Sequence, residues 1–207
     1  MRKINLVLKR IIDILGSAFG ILFLLPLLML IAFSIKFTSK GPILFRQDRL
    51  GKDGKVFKIL KFRTMVENAE RIGPGLFIES ENDSRITKIG KLLRATSLDE
   101  LPQLWNVFIG EMSLVGPRPP VPYYPYKYGE YSEFQTKRFD MKPGITGLAQ
   151  VSVRNSVTWE EKIVFDIEYI RGFSIWLDIK ILFKTVRTIT NRENIYSHSY
   201  NNKMKNI

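Results

Sequence analysis

The sequence predicts an α+β protein, in which a mainly helical domain with a small β-hairpin follows an N-terminal membrane segment. Three observations support this class. Residues 14–35 are apolar and uncharged, residues 43–62 hold two extended stretches around a turn rich in Gly and Asp, and helical patterns separated by Gly- and Pro-rich turns follow. We therefore expect a membrane segment with basic flanks over 1–40, a folded domain over 41–190 and a polar tail over 191–207.

The apolar run is long enough to cross the hydrocarbon core of a bilayer, about 30 Å, as a helix. It is too long for the apolar part of a typical signal peptide, and no small-x-small cleavage site follows it. Pro26 lies in its middle, where a proline removes a backbone hydrogen bond and predicts a kink or a break. Asp13 is expected at the membrane interface, paired with Lys9 or Arg10.

The charges that flank the apolar run favour a re-entrant path. Basic residues stand on both sides of it, at Arg2, Lys3, Lys9, Arg10, Lys36 and Lys40. Lys- and Arg-rich flanks stay on the cytoplasmic side of a membrane. A helix–break–helix segment with both ends in the cytoplasm therefore satisfies this rule better than a full span does, and a kinked single-pass anchor is the alternative.

The domain that follows is expected to contain the hairpin, a polar loop over 66–84 and several helices. The predicted helices cover 88–94, 101–109, 159–170 and 178–189. The last has an apolar face formed by Ile179, Leu182, Phe183, Val186 and Ile189. We expect this face to pack in the core, with docking on a membrane surface as the alternative.

Composition limits the chemistry that this chain performs. It carries 32 Lys and Arg against 20 Asp and Glu, a net charge of +12, which favours an anionic partner such as nucleic acid, lipid head groups or a phosphorylated substrate. There is no Cys, and the only His is His198 in the polar tail. Thiolate chemistry is therefore excluded and a histidine base is not expected. Carboxylates, Arg, Lys, hydroxyls and a hard metal such as Mg²⁺ are left.

Asp99 and Glu100 are adjacent carboxylates near a predicted helix start, with Arg94 and Arg118 on either side in sequence. An Asp carboxylate can attack phosphorus, a neighbouring Glu can hold Mg²⁺, and the guanidinium fork of Arg matches phosphate oxygens. Helix capping also explains the pair, either as a capping box of Ser97 with Glu100 or with Asp99 as the N-cap. The local sequence leaves catalysis and capping open.

Further basic positions are candidates for contact with a substrate anion. Lys61 and Arg63 would share one face if the segment that holds them ends a strand, although a solvated strand face explains them equally well. Prolines on both sides fix the backbone around Arg118, which also suits a rigid surface turn. Arg154, after a turn, carries the weakest signal.

Several motifs together resemble one known family. They are KRIID at 9–13, KFRTM at 61–65, SLDELPQLWNV at 97–107, GEMSLVGPRP at 110–119, KPGITGLAQ at 142–150 and WEEK at 159–162. In this order and spacing they closely resemble the monotopic phosphoglycosyl transferases, also called the bacterial sugar transferase family, in its small form. The resemblance covers nearly the whole chain, as far as the helix at Asp178.

The resemblance implies an activity and a role for each site residue. Members of the family transfer a phospho-sugar from a UDP-sugar to undecaprenyl phosphate and release UMP, in the first membrane step of surface glycan assembly. By resemblance, Asp99 is the covalent nucleophile, Glu100 associates with Mg²⁺, and Arg94 and Arg118 contact phosphate. The resemblance also implies a bacterial inner membrane protein, surrounded by membrane lipids, with its catalytic domain in the cytoplasm.

Two positions depart from the family's pattern. The membrane segment of the family breaks near a Ser-Pro pair, whereas Leu25 precedes Pro26 in this chain. Many members have Asn-Gly-Arg-Asn where this chain has SVRN at 152–155, which keeps Arg154 and changes its neighbours.

Two other functions are compatible with the sequence. A polyprenyl-phosphate glycosyltransferase would transfer the sugar without its phosphate and release UDP. A non-catalytic, membrane-anchored module would bind anionic lipid or RNA through its basic surface, but it does not account for an Asp–Glu pair between arginines. We expect no nucleic-acid partner, and the sequence is compatible with a homodimer.

Overall fold

The computed structural model describes residues 2–72, 75, 83–153 and 157–191, and it confirms a mainly helical fold with a small hairpin. The helices of the described residues are α1 (Arg2–Thr38), α2 (Lys88–Ala95), α3 (Gln103–Ile109), α4 (Glu133–Thr136), α5 (Leu148–Ser152), α6 (Trp159–Arg171) and α7 (Ile175–Asn191). The strands are β1 (Leu44–Leu50), β2 (Val56–Phe62), β3 (Ser113–Val115) and β4 (Gly144–Thr146). The polar tail beyond Asn191 and part of the loop predicted over 66–84, residues 73, 74 and 76–82, lie outside the described residues.

The predicted hairpin is confirmed. β1 and β2 pair antiparallel, with Leu44 opposite Phe62 and Leu50 opposite Val56. Asp53, in the link between the strands, has a positive φ of 57°, a conformation in which Asp is several-fold enriched among non-glycine residues. The hairpin supplies apolar side chains to the core, and its second strand ends beside the candidate site.

A short parallel pair, which the sequence pattern does not predict, lies next to the hairpin. β3 and β4 have three residues each, too few to show a hydrophobic period. They approach closely because of a glycine: a Cβ on Gly144 would lie 2.0 Å from the Gly116 backbone nitrogen. Gly116 N–H also donates to the Thr146 carbonyl at 2.8 Å. This pair fixes the start of the loop that carries Arg118.

The break expected at Pro26 is not found, because α1 continues without interruption from Arg2 to Thr38 with Pro26 inside it. A proline removes a single backbone donor, and the leucines around it are good helix formers that continue the turn. α1 is long and apolar enough to cross a membrane, and only 11% of its most apolar window is buried by the rest of the chain. The described part of the chain therefore leaves most of this apolar surface uncovered, which is compatible with membrane anchoring.

The N-terminal half of α1 is held to the domain by buried polar contacts. Asp13 accepts hydrogen bonds from the Ser113 hydroxyl at 3.0 Å and the Leu114 amide at 2.9 Å. Lys9 forms an ion pair with Asp178 at 2.6 Å. The expected pairing of Asp13 with Lys9 or Arg10 is therefore wrong, because the folded domain offers both side chains buried partners that neighbours on the same helix do not.

The C-terminal half of α1 packs against the same domain through apolar contacts. Ile31 and Ile35 are buried in a cluster with Phe62 from β2 and Leu93 from α2. Leu98, which directly precedes the candidate nucleophile, packs on this cluster as well. The membrane helix and the candidate site thus share one patch of core.

The apolar face predicted for the last helix packs on the core only in part, through Leu182. Ile181 is buried, whereas Phe183 and Val186 are 75% and 65% exposed. α7 is oriented by Asp178, whose carboxylate accepts a hydrogen bond from the Tyr169 hydroxyl at 2.7 Å and pairs with Lys9. With the helix in this orientation, Phe183 and Val186 point outward, so the expectation of core packing is wrong for these two residues.

Candidate active site

A short 3₁₀ turn, Leu98–Glu100, joins α2 to α3 and carries the two adjacent carboxylates. Neither capping explanation of the pair holds. Ser97 lies in the left-handed region with a φ of 56°, and its side chain makes no capping hydrogen bond. The residue that precedes α3 is Pro102, also without a side-chain cap. The carboxylates of Asp99 and Glu100 therefore serve another purpose.

Glu100 gathers two cations onto one oxygen. Its Oε1 accepts hydrogen bonds from Lys61 Nζ at 2.6 Å and from Arg118 Nη2 at 3.1 Å. Burial alone would raise the pKa of Glu100, but Lys61 and Arg118 together hold it well below its usual range. Lys61, from β2, and Arg118, from the loop after β3, are thus brought together as candidates for contact with an anion.

Asp99 lies beside this cluster and is bonded differently. Its side chain is largely buried, yet none of the described residues donates a hydrogen bond to its carboxylate. Burial raises the pKa of Asp99 to about 6; Glu100 adds to the rise, and Lys61, Arg94 and Arg118 oppose it. The carboxylate is therefore ionised at neutral pH, more basic than an ordinary Asp, and free of a direct donor.

Arg94 reaches the cluster from α2. Its Nε donates to the Thr64 hydroxyl at 2.8 Å, just after β2 ends. α2 approaches the backbone there through Gly90, where an added Cβ would lie 2.0 Å from the Thr64 carbonyl oxygen. The glycine thus lets the helix seat closely and fixes the base of the Arg94 side chain.

Arg63 does not join the cluster. Its guanidinium is buried and donates to the Ser39 carbonyl and hydroxyl and to the Lys40 carbonyl, just beyond the C-terminal end of α1. Cations suit helix C-termini, where carbonyl groups lack intrahelical partners. Arg63 therefore fastens the end of the membrane helix to the hairpin. Arg154 lies outside the described residues.

Arg49 is a residue of this region that sequence reasoning missed. It donates through Nη1 to the Pro119 carbonyl at 2.9 Å, and burial and the nearby Arg118 lower its pKa to about 10. The four consecutive polar residues 46–49 do not by themselves show which side chains face inward. The structure shows that Gln47 and Arg49 are half-buried while Arg46 and Asp48 are exposed.

The arrangement suits attack on an anionic electrophile. The Asp99 carboxylate, to which none of the described residues donates a hydrogen bond, lies near Lys61, Arg94 and Arg118, while the neighbouring Glu100 binds Lys61 and Arg118 directly. The cations would attract and neutralise a phosphorylated substrate, and the carboxylate would meet its phosphorus. Lys61, Arg94, Asp99, Glu100 and Arg118 are accordingly the candidate site residues that the structure brings together.

Comparison with known proteins agrees with this geometry. The family model of the bacterial sugar transferases matches residues 4–192. The chain is 47% identical over 193 residues to the UDP-glucose:undecaprenyl-phosphate glucose-1-phosphate transferase of Klebsiella pneumoniae, covering 90% of this chain and 41% of that protein. It is 42% identical over 202 residues to the UDP-galactose-lipid carrier transferase of Erwinia amylovora, covering 91% and 42%.

A third relative is matched over more of its own length. The UDP-glucose:undecaprenyl-phosphate glucose-1-phosphate transferase of Caulobacter vibrioides is 42% identical over 197 residues, covering 91% of this chain and 72% of that protein. The chain spans about two fifths of the length of the Klebsiella and Erwinia relatives. Because the family model matches nearly all of its residues, the chain belongs to the bacterial sugar transferase family.

Proposed function

We propose that the protein transfers a phospho-sugar from a UDP-sugar to undecaprenyl phosphate through a covalent intermediate on Asp99, and that it releases UMP. The observation that carries this proposal is the contrast between the two carboxylates. Glu100 is paired with Lys61 and Arg118, whereas Asp99 is buried beside the same cations without a hydrogen-bond donor from the described residues. Asp99, and not Glu100, is therefore proposed as the nucleophile.

The chemistry proceeds in two displacements at one phosphorus. An Asp99 oxygen attacks the β-phosphorus of the UDP-sugar, and the bond from that phosphorus to the bridging oxygen breaks, so UMP leaves with the bond electrons. The product on the protein is an acyl phosphate that bears the sugar. A phosphate oxygen of the lipid then attacks the same phosphorus, the Asp99 oxygen leaves as a carboxylate, and the lipid diphosphate sugar is formed.

The cations provide charge stabilisation in both steps. Lys61 and Arg118 lie on the Glu100 side of the turn and Arg94 approaches from α2, so they act on the site from different elements. Preorganised charges aimed at a transferring phosphoryl group lower the barrier without reorganising during the reaction. Glu100 keeps its two cations in place while the diphosphate is absent.

The Glu100 carboxylate has one oxygen that could bind Mg²⁺. No group of three His, Cys, Asp or Glu side chains converges anywhere in the described part of the chain. Glu100 Oε2 accepts no hydrogen bond from those residues, since both cations use Oε1. Mg²⁺ often takes one or two carboxylates and completes its shell with water and substrate phosphates. Glu100, with Asp99 beside it, would hold the ion, which would neutralise diphosphate charge.

The substrates are proposed from the site and from the relatives. The Klebsiella and Caulobacter relatives are named for UDP-glucose and undecaprenyl phosphate, and one of Aeromonas hydrophila is named for N-acetylgalactosamine phosphate transfer. A net charge of +12 and a cluster of half-buried cations suit a diphosphate donor and an anionic lipid acceptor. We place the reaction at the inner membrane of a bacterium, on its cytoplasmic face.

Identifying the released nucleotide tests the proposal. The full-length protein, purified with its membrane helix in lipid nanodiscs, is incubated with undecaprenyl phosphate, Mg²⁺ and a panel of UDP-sugars, and the soluble products are separated. We expect UMP with at least one sugar. Release of UDP instead would favour a glycosyltransferase that leaves the phosphate behind, and no release with any sugar would overturn the proposal.

We further propose that both ends of α1 lie on the cytoplasmic side. The helix is about 55 Å long at 1.5 Å per residue, and it contacts the domain from Lys9 to Ile35. These contacts extend along about 39 Å of its axis, more than the roughly 30 Å of a hydrocarbon core. A helix standing across the bilayer would therefore draw the charged domain into hydrocarbon, which is prohibitively costly.

Cysteine labelling tests this topology without background, because the chain has no native cysteine. Ile4→Cys and Phe37→Cys place thiols at exposed positions near the two ends of α1, and Val56→Cys marks the domain side. In inside-out membrane vesicles, a membrane-impermeant maleimide should label all three variants. Labelling of Phe37→Cys and Val56→Cys without Ile4→Cys, and of Ile4→Cys only from the opposite side, would show a spanning helix.

A further inference from the structure

The loop Pro117–Pro120, which carries Arg118, is held almost entirely by its carbonyl groups. Three of its four residues are prolines and have no backbone N–H to donate. Each of its four carbonyls accepts a hydrogen bond: Pro117 from Gly144 N at 2.9 Å, Arg118 from Arg138 Nη2 at 3.0 Å, Pro119 from Arg49 Nη1 at 2.9 Å and Pro120 from Leu50 N at 2.9 Å. Arg138, the donor to the Arg118 carbonyl, thus holds the backbone of the loop residue whose side chain contacts Glu100.

Arg138 is an unusual donor for this purpose because it is 2% exposed. Its Nη2 also binds Asp166 Oδ2 at 2.6 Å, and its guanidinium lies 5.1 Å from the Trp159 ring and 5.5 Å from the Phe139 ring. Its Nε and Nη1 find no acceptor among the described residues. The guanidinium is therefore a buried charge with one ionic partner and two unused donors.

Stability alone is a weak reason for such a pair. Replacing a buried ion pair by apolar side chains of similar volume is often neutral or stabilising, and unused buried donors add a further cost. The pair does, however, place one nitrogen of a rigid guanidinium, Nη2, between a carboxylate on α6 and the Arg118 carbonyl. A positional role accounts for what a stability role does not.

We propose that Arg138 and Asp166 are positioning residues that set the direction of the Arg118 side chain toward Glu100 and the substrate phosphate. This inference rests on the proposed function for its kinetic consequence. The Arg118 side chain is 43% exposed and has a single carboxylate partner, Glu100 at 3.1 Å, so its direction depends on its own backbone. A displacement of about 1 Å in a catalytic group costs on the order of 100-fold in rate.

A double-mutant cycle tests whether the pair acts through Arg118. The variant Arg138→Met with Asp166→Leu removes both charges together, so no unpaired charge is left buried. We expect it to keep the wild-type unfolding midpoint within a few degrees and to lower kcat about 30-fold. In an Arg118→Lys background, the same pair of changes should lower kcat less than about 3-fold, because the aimed group is already absent.

A second buried pair provides the matched control. Arg85 is 3% exposed, pairs with Asp83 at 2.7 Å and also donates to three backbone carbonyls, those of Ala69, Ile72 and Gly75. The variant Arg85→Met with Asp83→Leu should change kcat by the same factor in the wild-type and the Arg118→Lys backgrounds. If the Arg138→Met, Asp166→Leu variant also changes kcat by the same factor in both backgrounds, the positioning role is overturned.

Hydrogen exchange measures the loop without relying on activity. The amides of Gly116 and Gly144 bond to Thr146 and Pro117, so they report on the seat of the loop. In the Arg138 variant we expect their exchange to accelerate about 10-fold or more while peptides from α2 stay unchanged. Unchanged exchange at both glycines would overturn the clamp even if the protein proved to have another activity.

Arg138→Lys covers the case in which the double variant does not fold. A lysine keeps the charge opposite Asp166 but lacks the rigid, planar guanidinium that holds Nη2 between Asp166 and the Arg118 carbonyl. For Arg138→Lys we expect the same faster amide exchange at Gly116 and Gly144, and a loss of kcat that is again smaller in the Arg118→Lys background. Wild-type exchange together with wild-type kcat would overturn the inference. Absence of UMP release from the unmodified protein would instead count against the proposed function alone.

Discussion

Replacing Asp99 with asparagine should abolish the covalent intermediate and reduce turnover by about 10³-fold or more. Asparagine keeps the shape of the side chain, but its amide oxygen is a poor nucleophile and does not form the acyl phosphate. Two measurements check this result. One is the rate of UMP release with undecaprenyl phosphate present. The other is the phospho-sugar label that the protein retains from a radiolabelled UDP-sugar when lipid is absent.

An exchange reaction sharpens the test. With no lipid acceptor, the unmodified protein should pass labelled UMP back into UDP-sugar, since the first displacement is reversible, and the Asp99→Asn protein should not. Asp48→Asn is a suitable control, because Asp48 is exposed and pairs only with Lys58 at 2.8 Å on the hairpin. Label retained by Asp99→Asn at the level of the control would remove Asp99 from the nucleophilic role.

Replacing Glu100 with glutamine should lower kcat by about 10²- to 10³-fold, the range found when one preorganised charge partner is removed from an active site. The change leaves the half-buried Lys61 and the more exposed Arg118 without their shared counter-charge, so both lose the contact that positions them. It also removes the oxygen proposed to hold Mg²⁺. Raising the Mg²⁺ concentration should therefore restore only part of the lost rate.

The pH dependence of the same variant gives a signature that damage to the fold does not. Asp99 attacks as a carboxylate, so the rate of the unmodified protein should fall as pH drops through about 6, where burial places its pKa. Glu100 raises that pKa as a neighbouring negative charge. Glu100→Gln should therefore lower the pKa of Asp99 and move the acid limb of the profile to lower pH.

The control for this experiment is Glu130→Gln. Glu130 is an exposed carboxylate that accepts a hydrogen bond from the Lys127 amide at 2.9 Å, and a glutamine can accept the same bond. Its rate and profile should match those of the unmodified protein. An acid limb that stays in place or moves to higher pH in Glu100→Gln would contradict the proposed coupling between the two carboxylates.

Asp99 and Glu100 stand out in the sequence as a candidate site because the composition removes most other catalytic groups. Without cysteine, and with a single histidine in the polar tail, Asp99 and Glu100 between Arg94 and Arg118 offered the most economical site. Two extended stretches around a turn rich in Gly and Asp likewise predicted the hairpin, since a turn between neighbouring strands is a local feature of the sequence. Such features depend on residues close together in the chain.

Partners distant in the chain could not be predicted in the same way. Arg63 donates hydrogen bonds to Ser39 and Lys40 instead of facing the candidate site. Asp13 accepts a hydrogen bond from the amide of Leu114, 101 residues away. Long or charged side chains have several partners within reach, and the folded domain decides among them by burial. Phe183 and Val186 of α7 are exposed for a related reason. The helical period shows which face of a helix is apolar, but it does not show which side of the helix the domain covers.

The packing of Leu98 against the Ile31 and Ile35 patch of α1 has a kinetic consequence for the proposed reaction. With α1 in the membrane as proposed, this packing would hold Asp99, the residue after Leu98, at a constant depth relative to the leaflet surface. A long-chain lipid acceptor then needs no extraction from the bilayer, and only its head group has to rise to meet the enzyme. The encounter becomes a planar search within the leaflet, so turnover should depend on the surface density of the lipid rather than on its bulk concentration.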